Sequence, residues 1–136
     1  MISGDDAALK CDFFGAGVVF EHVGLAVQSI QAVNSSLHVW HDPIQRVKVA
    51  FCDMNGIKVE LIEPEGVSSP VTDALSKGRK LLHLCYKAVN LEAAMAEGRK
   101  HGFVMIAKPV PAVAFNGRRI AWMMHKSYGL IELLEQ

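Results

Sequence analysis

Four residues in this chain have the types and spacing to do chemistry together: His22, Glu60, His83 and Glu132. Each interrupts an otherwise apolar, strand-like run: "FEHVGLAV", "IKVELIEP", "LLHLCYKAV" and "GLIELLEQ". A carboxylate inside such a run is costly to bury unless a cation or a donor neutralises it. Two imidazoles and two carboxylates together offer neutral nitrogen and anionic oxygen donors. That set suits a divalent ion of the Mn, Fe, Co, Ni or Zn group, with positions left for water or substrate.

The set recurs in an ordered way because the chain repeats itself. "HVGLAVQSIQAV" lies over "HLCYKAVNLEAAM", matching His22 with His83, and "GIKVELIEP" lies over "YGLIELLEQ", matching Glu60 with Glu132. The interval between His and Glu is shorter in the first copy, and the deficit falls between Leu37 and Arg46. Strand parity lets the four converge. His22 shares a face with Gly24 and Ala26, Glu60 with Lys58 and Ile62, His83 with Cys85, and Glu132 with Leu130 and Leu134. The bulkier residues between them can then pack on helices.

The elements that must position these residues read as β-α-β-β-β twice. In the first copy, strand "FEHVGLAV" leads to a short helix that Ser29 can cap, and "RVKVAFCDM" and "IKVELIE" flank Asn55-Gly56, a two-residue hairpin signal. The second strand of this copy is faint, because "LHVWHDPIQ" contains Pro43 and little alternation. In the second copy, Asn90 can cap "LEAAMAEGRKH" and Asn116-Gly117 turns the chain into "RRIAWMMH". "FVMIAKPVPAVAF" holds Pro109 and Pro111, as an edge strand or a pocket rim would. Ser69-Pro70 opens a connecting helix that stops at Gly78. The expectation is one α+β domain over 1–136, with a first module at 20–65, a connecting helix at 66–80 and a second module at 81–136.

Composition narrows the class of function. The hydrophobic fraction of 51% allows a full core, and 14 basic residues balance 14 acidic ones, so no charge footprint points to nucleic acid or an anionic membrane. Cys11, Cys52 and Cys85 are odd in number and lack metal-type spacing, which fits a reducing cytosol. The acidic start "MISGDDAALK" and the glycine-broken run after it are unlike an export signal or a membrane span. A small molecule is the expected partner.

The paired modules and the His–Glu–His–Glu set resemble the vicinal oxygen chelate (glyoxalase/bleomycin-resistance) superfamily, and within it methylmalonyl-CoA epimerase-like proteins. "HVGLAVQSI", "VKVAFCDMNGIKVELIEP", "LHLCYKAV" and "NGRRIAWMMHKSYGLIELLE" carry the likeness, which runs from about Phe20 to Gln136. The resemblance implies a curved half-barrel sheet around a shared cleft, a homodimer, and a divalent metal held by His22, Glu60, His83 and Glu132. It also implies that Glu132 is an acid/base, removing a proton from carbon beside a carbonyl that the metal polarises. Two activities follow: an isomerase or lyase acting on a small carbonyl compound, an acyl thioester among the candidates, or a glyoxalase I-like lyase. A sequestering protein of the antibiotic-resistance type is the non-catalytic alternative. An iron oxygenase typically uses one carboxylate fewer. One departure concerns the second acid/base of the epimerases, whose place here falls on Val49, with His41, Asp42 and Gln45 nearby.

Among the basic residues, Arg119 is the expected substrate anchor. It shares a strand face with Ala121, Met123 and His125, and His125 beside the last turn either touches substrate or has a turn-stabilising or exposed role. Trp40 and Trp122 read as packing residues, since no basic groove accompanies them.

Overall fold

A computed structural model describes residues 9–136. Most of the acidic start that argued against an export signal, 1–8, lies outside the described residues. The elements are β1 (Val19–Ala26), α1 (Ile30–Val33), β2 (Trp40–Asp42), β3 (Val47–Met54), β4 (Ile57–Pro64), α2 (Pro70–Ser76), β5 (Leu81–Ala88), α3 (Leu91–Lys100), β6 (Val104–Pro111), β7 (Arg119–His125) and β8 (Gly129–Glu135). Among the described residues no helix is long and apolar enough to cross a membrane.

Local chemistry sets the element boundaries. Ser29 Oγ accepts from the Ala32 amide, Ser69 Oγ from Val71 and Asn90 Oδ1 from Ala93, so each helix starts on a side-chain cap. Asn55 and Gly56, with φ of 51° and 94°, form the tight turn of the β3–β4 hairpin. The faint second strand is present but short, just Trp40–Asp42. The proline-bearing run divides at Pro111: β6 ends there, and Val113–Phe115 makes a 3-10 turn instead of continuing the strand.

All eight strands join one curled, half-barrel sheet in the order β2-β3-β4-β1-β5-β8-β7-β6. Each module places its first strand parallel to its last, β1 with β4 and β5 with β8, and the modules meet where β1 runs antiparallel to β5. The two edges are β2 and β6; β6, with its prolines, is the edge strand expected.

The convex side of the sheet carries α1 and α3, whereas α2 packs on the concave side, with Val71 against Ala26, Val47, Val49 and Ile62. Under α1, Ile30 packs with Ala50, Val59 and Leu61; under α3, Leu91, Ala94 and Met95 pack with Phe103, Ala121, Met123 and Leu133. Burial of side chains of this size contributes roughly 1.5–3 kcal/mol each. The concave side keeps two smaller clusters, one around Val47, Val49 and Ile62, the other around Cys85, Phe115 and Leu134.

Register at the seam explains how the two copies meet. His22 lies opposite Cys85, and Gly24 lies opposite His83. Gly24 also neighbours Glu60 across β1–β4, and Cys85 neighbours Glu132 across β5–β8. Gly24 and Cys85, each two residues beyond its histidine, therefore occupy symmetry-related places beneath the side chains of interest. At Gly24 even a methyl group does not fit: a Cβ would stand 2.2 Å from His83 Cε1. Gly24→Ala should therefore push the His83 ring aside and destabilise the fold by about 1–3 kcal/mol, as overpacking does. Denaturant unfolding of the two proteins checks this, and an unchanged midpoint would contradict the tight approach of β1 to the ring.

Candidate metal centre

The four residues singled out by type converge on one point. His22 Nε2 lies 3.3 Å from Glu60 Oε1 and 3.1 Å from Glu132 Oε1. His83 Nε2 lies 3.5 Å and 3.2 Å from the same two oxygens, and the two Nε2 atoms are 3.4 Å apart. All four side chains are buried, His22 completely.

This donor set fits a divalent ion. Ligand atoms about 2.1 Å from a common ion stand roughly 3.0 Å apart at right angles and roughly 3.4 Å apart in a tetrahedron, which brackets most of these separations. Glu132 Oε1 supports the fit independently. It is buried beside both Nε2 atoms, yet among the described residues no hydrogen bond of good geometry reaches it. A buried carboxylate oxygen without a donor is what a cation would satisfy.

His22 is held in place from behind. In a regular strand Glu21 would point to the opposite face, but β1 slips register between Phe20 and His22 where it pairs with β5. The bulge brings Glu21 onto His22 Nδ1, while its other oxygen takes Lys58 Nζ at 2.6 Å. A donor at Nδ1 fixes the tautomer and leaves the Nε2 lone pair facing the cluster, the usual carboxylate–histidine support of a metal ligand. The ring is flanked by Phe115, stacked at 5.8 Å, and by Phe51 edge-on at 5.7 Å. Glu21 could not be read as part of the site, because alternation places it on the wrong face and nothing in the sequence signals the bulge.

Without a metal, protons supply the positive charge. Burial by itself would push His83 down, but the Glu132 and Glu60 carboxylates hold it up at about 9. Burial likewise opposes charge on His22, and its neighbours Cys85, Glu132, Glu21 and Glu60 raise it. Burial would push Glu132 up, yet His22 and His83 hold it at about 2; Glu21 is also held at about 2, by His22 and Lys58 against its own burial.

The cluster opens on a cleft of about 720 Å³. Glu60, His83 and Glu132 line it, and most of the remaining wall is apolar, from Val47, Val49 and Ile62 on one side to Ile120, Met124 and Leu130 on the other. Val49, in the expected place of a second carboxylate, is a wall residue. Of its neighbours, His41 points to solvent and pairs with Glu65, whereas Asp42 and Gln45 reach the cleft.

The structure does not bring Arg119 and His125, the expected substrate contacts, to the cleft. Ile120, Trp122 and Met124 face it, so the alternate residues of β7 face the helix layer. Arg119 is taken up by Glu92 at 2.7 Å and Glu135 at 2.6 Å, and His125 packs on Phe103 and Tyr128. The sequence placed these residues correctly on one shared face; which face looked inward depended on the curl of the sheet.

The charge balance gives a pH signature for the metal-free chain. His83 lies above its ordinary value of 6.5, so its stabilisation is complete below about 6.5 and fades as pH rises through about 9. Glu132 lies below its ordinary 4.5, so its contribution holds above that value and is lost as pH falls toward 2. Chelator-treated protein should thus lose stability steadily from pH 6.5 to 9 in denaturant titrations. Added divalent ion should reverse that slope, because it needs neutral imidazoles. A flat profile in chelator would contradict this account.

Comparison with known proteins agrees with the geometry. Residues 16–122 match the family model of the Glyoxalase/Bleomycin resistance protein/Dioxygenase superfamily, a stretch that includes His22, Glu60 and His83. An uncharacterized protein of Bacillus subtilis, YqjC, is 30% identical over 126 residues, 85% of this chain and 90% of that protein. An ethylmalonyl-CoA/methylmalonyl-CoA epimerase of Cereibacter sphaeroides is 24% identical over 127 residues, 85% of this chain and 95% of its own length. Among solved structures, a hypothetical protein from Bacillus halodurans superposes with TM-score 0.71 at 28% identity, covering 88% of this chain and 95% of that one. Methylmalonyl-CoA epimerase from Mycobacterium tuberculosis gives 0.71 at 22% identity, covering 86% and 87%. The half-barrel of two β-α-β-β-β copies and the matched sequence together place this chain in the glyoxalase/bleomycin resistance/dioxygenase superfamily.

Proposed function

We propose that the protein is a metal-dependent enzyme of the isomerase or lyase type that acts on a small carbonyl compound. The observation that carries this reading is the buried meeting of His22 and His83 Nε2 with Glu60 and Glu132 Oε1, with Glu132 Oε1 lacking any other donor among the described residues. These four side chains would hold a divalent ion of the Mn, Fe, Co, Ni or Zn group. Such an ion supplies Lewis-acid polarisation of a carbonyl oxygen, which acidifies the neighbouring C–H bond.

The chain's own residues supply the rest. Glu132 is the proton-transfer group of this scheme, a carboxylate at the floor of the cleft that would be kept ionised by the ion its neighbours hold. Glu21 orients His22, and the Phe51 and Phe115 rings keep water from its sides. The apolar wall receives a hydrocarbon body and excludes bulk water from the reacting end. Val49 can neither take nor return a proton. The scheme therefore favours proton removal and return through Glu132 over a two-carboxylate epimerisation, although epimerases stand among the relatives.

The apolar cleft favours one second reading, a protein that binds and sequesters a small molecule on the same scaffold. The exposed edge of β6, with Val104, Met105 and Ile106 open to solvent, supports a homodimer in either case. Light scattering should give twice the chain mass, and a monomer at all concentrations would remove the dimer from the proposal.

Elemental analysis tests the metal. Purified protein should carry about one divalent ion per chain, and His83→Ala and Glu132→Gln should lower affinity for it by at least roughly tenfold, the scale seen for changes around metal ligands. Unchanged metal content in both variants would remove the proposal. Retained ligand binding in metal-loaded Glu132→Gln, with no turnover by the wild type, would favour the sequestering reading.

A further inference from the structure

Gln45 has a donor group that nothing among the described residues uses. It lies in the turn between β2 and β3, where Asp42 Oδ1 accepts the Ile44 and Gln45 amides at 3.0 Å each and so fixes the backbone. Gln45 Oε1 accepts the indole N–H of Trp122 at 3.3 Å, across the cleft from the other module. An indole N–H is donor-only, so the amide oxygen must be the atom that meets it, and the amide NH2 is turned away. Among the described residues no acceptor takes that NH2. Gln45 and Trp122 both line the cleft, and the Trp122 ring packs edge-on to His83 at 4.8 Å.

The arrangement thus presents a pre-oriented, neutral donor within the same cavity as the four-ligand cluster. Of the other polar groups in the wall, Asp42 has one carboxylate oxygen committed to the turn, Arg79 is exposed in the segment between α2 and β5, and Tyr128 is exposed before β8. We propose that Gln45 is a substrate-anchoring residue: its amide N–H donates to a second oxygen of the bound compound, whose carbonyl oxygen is directed to the cluster. The substrate class follows as a small carbonyl compound with an apolar body and a further carboxylate or carbonyl oxygen. This rests on the proposed metal centre for the first oxygen only. Trp122 acts as a positioning residue, since its N–H settles which way the amide faces.

Calorimetric titration of the full chain, cobalt-loaded and metal-free, tests this with three probes of equal body: phenylpyruvate, its ethyl ester and phenylacetone, which lacks the second oxygen. Wild type should bind phenylpyruvate or the ester more tightly than phenylacetone. Gln45→Leu and Gln45→Glu, the latter retaining an acceptor for Trp122, should each weaken the preferred probe by at least about tenfold while leaving phenylacetone within about twofold. A loss confined to the acid assigns the second oxygen to a carboxylate; a loss shared by the ester assigns it to a carbonyl. Equal weakening of all three probes would mark Gln45 as a structural clasp and overturn the proposal, as would wild-type affinities in both variants or no preference in the wild type. If cobalt fails to bind, the metal reading falls by itself, because the Gln45-dependent preference is still read in metal-free protein.

Discussion

Two carboxylates buried at one point dominate the physics of this molecule. Burying two carboxylate side chains in an apolar cleft is costly unless positive charge lies close by, and the Oε1 atoms of Glu60 and Glu132 approach the same pair of imidazole nitrogens. Protons on the histidines meet that demand in the metal-free chain; a divalent ion would meet it with one charge centre and release those protons. The competition ties metal occupancy, protonation and stability together at a single spot.

The rest of the fold can be understood as the means of bringing those atoms together. A histidine on each central strand and a glutamate on the strand parallel to it give two half-sites, joined where β1 of the first module pairs antiparallel with β5 of the second. Small residues beneath the cluster make the convergence possible. Gly24 lets the His83 ring lie over β1, and Cys85, fully buried, fills the related place beside Glu132. The alternate residues of these strands pack on the convex face under α1 and α3, while Phe51, Phe115 and Trp122 surround the cluster on the concave one.

Around this symmetric floor the two halves differ, and the differences give the cleft its character. Only His22 has a carboxylate behind its ring, through the bulge at Glu21. The shorter first module ends its helix after one turn and brings the tight Asp42–Gln45 turn to the lip, where Trp122 reaches across to it. A duplicated floor with unlike walls lets the floor stay constant while the walls of the cleft change. It also agrees with a superfamily in which one scaffold supports several chemistries.

The sequence by itself determined which four residues converge and the frame that carries them. Strand alternation is local and strict, so the residues two places from His22, Glu60, His83 and Glu132 revealed which face each shares, and the repeat showed that the faces must meet. Hairpin and cap residues, Asn55-Gly56 and Asn90 among them, act within a few positions and were equally legible. Only the tertiary structure decided what depended on partners distant in the chain. The slip at Phe20–His22 arises from pairing with β5 and turns Glu21 inward. The curl of the sheet, not the order of residues in β7, turned Arg119 and His125 to the helix layer and left Trp122 in the cleft. Alternation tells which residues travel together, but the side of a strand that becomes interior is set by the sheet closing on itself.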